Sequence, residues 1–305
     1  MQGAETPEAP KRCKELWFKD GNIVLQAERT VFQLYQDILC RESSVFATML
    51  SLPGEPEEHY GQAPLVRMTD TAEEMTLFLS VIFIHQFMDN LPRSPKLAAI
   101  LAMAVKYQAI HVHQRAIAKL SLEFPSTLKD YDALRTDPER GSDCQSESEF
   151  WALAVPVINV ALRHGNTHSL LPAAFLRSAS HEIASILAQD ALHISTRTTI
   201  LVGRDKLSQI ARKESFAVAF SHGMGCKDLL SCAGEWACVR NAVEVSTNFI
   251  DPFFIASPPV EPRRACSSSL HSHAANQKGR AGLWAKLPAA FGLPPWEVLT
   301  GEENV

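Results

Sequence analysis

The chain has 305 residues, of which 46% are hydrophobic and 21% charged. This is globular composition, with apolar mass for a sizeable core and length for about two domains at roughly 100–200 residues each. It excludes a wholly disordered chain, and a formal charge of −5 argues against a general nucleic-acid binder.

The first sixteen residues carry acidic side chains, Pro7 and Pro10, and no apolar run, so they do not read as a secretory signal. The most apolar stretch, Met75 to Ile84, is far short of the roughly 20 residues that a spanning helix needs. The expectation is an intracellular protein, in cytoplasm or nucleus, with no membrane partner. The cysteines number 7, an odd count scattered over a long chain. Reduced thiols or a metal site fit that pattern better than a disulfide framework.

Residues 1–14 read as a polar, disordered leader. Leu16-Trp17-Phe18 and Ile23-Val24-Leu25 flank Asp20-Gly21, a pattern that predicts a hairpin with glycine at positive φ. Thr30–Leu34 predicts a third strand. Short helices fit Gln36–Cys40 and Ser43–Leu50, the second with Ser43 or Ser44 as N-cap. A Pro- and Gly-rich loop over Ser51–Pro64 gives way to a strand at Leu65–Met68. A helix then follows, with a capping box at Asp70/Glu73 or Thr71/Glu74. Met75, Phe78, Leu79, Ile82 and Phe83 give it a complete apolar face. Leu97, Ile100, Leu101, Ala104 and Val105 repeat that template, and Ile110, Ile117, Leu120 and Phe124 suggest one more helix. Residues 15–125 are therefore an α+β domain of strands followed by helices.

Residues 126–149 are charged and Ser-rich and read as a linker. Residues 150–252 read as helical. Phe150, Leu153, Ala154, Val157, Ile158 and Ala161 share one face, and Pro156 is expected to kink or start that helix. Pro172 suits the first turn of the next helix, and Gly203–Phe220 and Ser231–Phe249 are further candidates. Residues 253–280 read as a flexible loop. Trp284, Leu287, Phe291, Leu293, Trp296, Val298 and Leu299 crowd into 281–301. Each large side chain gains roughly 1.5–3 kcal/mol on burial, so this segment is expected to pack on the helical domain.

The spacing Phe32-x-x-Tyr35-x-x-x-Leu39-x-x-x-Ser43-x-x-Phe46-x-x-Met49-Leu50, with Asp20 before it, resembles the BTB/POZ domain of the divergent type common in fungal proteins. Tyr35 stands where that family usually has histidine. Val66–Asp70 and the helix after it resemble the family's middle strand and following helix, so the likeness covers residues 12–124. The resemblance implies a docking domain that self-associates or recruits another protein, in some members a ubiquitin ligase scaffold. It also implies that Asp20 has a fold role near a dimer interface. Leu16, Trp17, Phe18, Asp20 and Tyr35 are the candidate partner-interface residues, with ordinary core as the alternative. The second half resembles the helical region that follows such domains, through Leu170–Phe175, the Cys232/Cys238 pair and Trp284-x-x-Leu287-Pro288-x-x-Phe291. Similar sequences carry Cys-x-x-Cys before the final Trp motif; here Cys266 is present and Ser269 takes the second place.

Cys226, Cys232, Cys238 and Cys266 are the candidate metal ligands. Four thiolates suit a tetrahedral structural zinc, with His271 or His273 as substitute ligands; the alternative is idle thiols. His111/His113 and His164/His168 read as polar histidines rather than ligand pairs, and Gly165 and Asn166 argue against a helix between the latter. No G-x-S-x-G, H-E-x-x-H or G-x-G-x-x-G motif occurs, so a non-enzymatic interaction module without a cofactor is expected. Two other readings remain: a zinc-binding domain in the C-terminal half with binding or enzymatic activity, and a scaffold whose helical half presents a groove for a peptide.

Overall fold

The computed structural model describes residues 9–52, 58–91, 95–136, 146–211, 253 and 280–301. The chain divides into two units, Met1–Leu120 and Ser121–Val305.

The first unit is α+β. Its strands are β1 (Lys11–Trp17), β2 (Ile23–Ala27), β3 (Thr30–Leu34), β4 (His59–Tyr60) and β5 (Ala63–Met68), in the sheet order β1-β3-β2-β5-β4. The hairpin expected at Asp20-Gly21 is not there. β3 lies between β1 and β2, parallel to the first and antiparallel to the second. The hairpin instead turns at Glu28-Arg29, where Glu28 takes a positive φ of 50°. Gly21 matters for another reason. A Cβ placed there would meet the backbone oxygen of Leu34 at 2.8 Å and its nitrogen at 2.9 Å, so glycine permits a close approach of two backbones. β1 also begins at Lys11, inside the expected leader. Its charged residues fit a strand at the sheet's margin, where only part of the surface is covered.

Pairing register divides the sheet into two faces. Ile23, Leu25, Phe32 and Leu34 pair on one, all essentially without exposure, in a core that also holds Leu16, Leu39, Phe46, Phe78 and Leu79. The helices are α1 (Gln36–Glu42), α2 (Ser44–Leu50), α3 (Ala72–Phe83), α4 (Lys96–Lys106) and α5 (Ile110–Ser121). Ser43 caps α2, accepting from the Phe46 amide at 3.1 Å and donating to the Tyr107 carbonyl at 2.6 Å. The Thr71/Glu74 pair closes the capping box of α3. Met75, Phe78 and Leu79 are buried, but Ile82 and Phe83 at the helix end are half-buried. On α5 the buried face is Val112, Ala116 and Leu120, whereas Ile110 points outward at 66% exposure.

The second unit is helical. α6 (Leu128–Thr136) lies within the stretch expected as a linker, held by buried Tyr131 and Leu134. α7 (Glu147–Arg163) also begins there, with a Ser146/Glu149 capping box, and it runs on through Pro156. A 3-10 turn over Gly165–Leu170 joins it to α8 (Leu171–Ala179), which is buried along nearly its whole length. α9 (Ile183–Leu187) and α10 (Ile194–Ala211) follow, the latter starting ahead of the expected Gly203.

Residues 280–290 are helical again and dock on this unit. Arg280 pairs with Asp132, and the Trp284 indole donates to the Ser126 carbonyl at 3.0 Å. Phe291 sits 5.4 Å from the Phe175 ring and against Gly203, where an added Cβ would come within 2.0 Å of its ring. The helix expected at Ser231–Phe249 and most of the loop expected at 253–280 lie outside the described residues. Among those described, no helix is long and apolar enough to cross a membrane.

Candidate interaction surface

The second face of the sheet carries the residue types that protein partners use. Register places Arg12 and Val31, Trp17 and Gln33, and Val24 and Leu65 side by side there, with Tyr60 opposite Ala63. Val24, Val31 and Ala63 form a small buried cluster of their own, covered by half-buried Trp17, Tyr60 and Leu65. The Trp17 and Tyr60 rings meet edge to face at 5.7 Å. The Arg12 guanidinium lies 4.5 Å above the Trp17 ring and 5.7 Å from that of Tyr60. Cation–π contact and apolar packing thus hold three large side chains in one platform. Arg12 and Trp17 belong to β1 itself, a seven-residue strand whose one neighbour among the described residues is β3. The opposite margin is β4, of two residues.

The five candidate interface residues do not form one patch. Leu16 is fully buried and belongs to the core, which corrects its assignment to a surface: it points away from the face that Trp17 occupies. Trp17 belongs to the platform. Phe18 and Tyr35 are half-buried with ring centres 5.1 Å apart, and Phe18 also meets Phe83 at 5.6 Å. Asp20 is exposed and accepts a 2.6 Å hydrogen bond from the Tyr35 hydroxyl, which pushes the Tyr35 pKa up. Two positions singled out separately, Asp20 and Tyr35, are therefore direct partners.

Arg12 and Tyr60 have no signal in the sequence, whereas Phe83 is legible there as part of the apolar face of its helix. Arg12 fell in the presumed leader and Tyr60 in a Pro/Gly-rich loop. Neither shows a periodic signal, because each reaches the platform only through strand pairing. The four candidate zinc ligands, Cys226, Cys232, Cys238 and Cys266, and the substitutes His271 and His273 lie outside the described residues. Cys13 and Cys40 are free thiols, and partial burial pushes both pKa values up, so they stay protonated near neutral pH. Compared with protein-family models, curated proteins and solved structures, the chain matches none.

Proposed function

We propose that this chain is a non-enzymatic protein–protein interaction module, and that its first unit, which resembles a BTB/POZ domain, self-associates. The observation that carries the reading is the Arg12–Trp17–Tyr60 platform, built in part on the long marginal strand β1. Trp, Tyr and Arg dominate the energetics of protein interfaces because they combine large apolar area with a polar handle. A second copy meeting this surface about a two-fold axis buries the half-covered rings, and the β1 edge, which has no second neighbour among the described residues, supplies backbone groups for pairing. The Asp20–Tyr35 hydrogen bond lends support to the resemblance, since a polar-tipped ring at the family's histidine position meets the family's aspartate.

Sedimentation velocity on the full chain tests the proposal. At tens of micromolar, in the range of ordinary interface affinities, a species of twice 33.7 kDa is expected. Arg12→Glu, a change at an exposed position, should shift the population toward monomer. A strict monomer throughout that range overturns self-association.

A further inference from the structure

The second unit carries an open groove of about 850 Å³ beside the start of α7. Glu147 stands at its edge. Two donors converge on a single oxygen of this carboxylate, the Ser185 hydroxyl and the Trp151 indole at 3.3 Å, and His181 Nδ1 lies 3.5 Å from the same oxygen. Among the described residues Oε2 has no partner, and the side chain is 53% exposed. The hydrogen bonds from Ser185 and Trp151 hold the carboxyl below the usual range, so it is anionic at neutral pH. One oxygen is thus held by the protein, while the other has no partner among the described residues of this groove-lining side chain.

The rest of the wall is rich in acceptors. Pro156 lines the groove and has no N–H, so the Ala152 carbonyl one turn earlier loses its helical donor. Gln189 spends its amide nitrogen on the Ser185 carbonyl at 3.0 Å, which leaves its oxygen as the free end. The apolar part of the lining comes from Pro156, Val155 and the small exposed margin of the buried Trp151. One fixed anion, further acceptors and an apolar strip match a side chain with a planar cationic head, several donors and an aliphatic stem.

We infer that this groove binds an arginine side chain of a partner peptide, with the guanidinium on Glu147 and its stem along Trp151 and Pro156. The inference is independent of the self-association of the first unit. It commits to charge complementarity: the head must be positive and must donate.

The test is a fluorescence anisotropy titration of the full chain with a labelled Ala-Ala-Arg-Ala-Ala amide and its citrulline counterpart, which keeps the shape and loses the charge. The arginine peptide should saturate below about 1 mM, and citrulline should weaken binding at least about tenfold. Glu147→Gln keeps an acceptor for Ser185 and Trp151, and it should bring the same loss of about tenfold, while Glu73→Gln in the first unit changes nothing. Absence of saturation by about 1 mM, equal binding of the two peptides, or an unaffected Glu147→Gln variant overturns the inference. The peptide comparison stands on the wild-type chain alone, so it decides the matter even where the variant folds poorly.

Discussion

Asp70 is a buried carboxyl side chain in the first unit. Only 5% of its side chain is exposed, yet it accepts from Lys106 Nζ and from the Tyr107 hydroxyl, both at 2.5 Å. Burial first, then the bond to Asp70, pushes the Tyr107 pKa far up, so that hydroxyl remains a donor at any ordinary pH. Its ring stacks on Phe46 at 4.8 Å and Phe78 at 5.3 Å, and its carbonyl receives Ser43. One residue thus ties α2, α3 and the end of α4 together. Asp70→Ala strands a buried hydroxyl and should cost about 1–3 kcal/mol in urea unfolding. Lys106→Met should cost less, within about 1 kcal/mol, because that side chain is 48% exposed. Gly21→Ala and Gly203→Ala should each destabilise by about 1–3 kcal/mol through overpacking. The first presses on the Leu34 backbone and the second on the Phe291 ring. A thermal scan of either variant that matches wild type would contradict the stated contacts.

At the scale of elements, local signals in the sequence were reliable where the structure is itself local. The Thr71/Glu74 box, the Ser43 cap, the Pro172 start of α8 and the strand at Thr30–Leu34 are all in place. Thr71→Ala should cost about 1 kcal/mol, read as a lower urea midpoint. Pairing over distance was not legible. Asp20-Gly21 carries the composition of a hairpin turn, but β3 outcompetes β1 for the edge of β2. α6 was hidden because its hydrophobic face consists of little more than Tyr131 and Leu134, of which Tyr131 packs against Phe253 and Trp284. The platform was half legible: Trp17 stood out as a large aromatic, whereas Arg12 and Tyr60 reach it only through pairing. Pro156, expected to kink or start a helix, does not start α7 but lies inside it. Pro156→Ala restores the missing donor and should raise the stability of the second unit by about 1–3 kcal/mol. An unchanged or lower denaturation midpoint would show that the proline costs the helix nothing.

At the scale of the whole molecule, two histidines make stability depend on pH. His181 lies against Phe150 at 4.6 Å and Trp151 at 5.0 Å, and burial lowers its pKa from 6.5; His113 on α5 is lowered by the same cause. The unfolded chain takes up these protons as pH falls through 6.5, while the folded chain resists them. Folded stability is therefore fully present above that value and declines as the medium is acidified toward the lowered folded pKa. The melting temperature should drop between pH 7 and pH 5, and His181→Gln should flatten that slope. In the proposed function the first unit docks a second copy through its outer sheet face. Hydrogen–deuterium exchange on the full chain at about 1 and 100 µM tests it most directly. Amides of β1 and β4 are expected to gain protection at the higher concentration while those of α5 do not change. Exchange in β1 that is the same at both concentrations would contradict it.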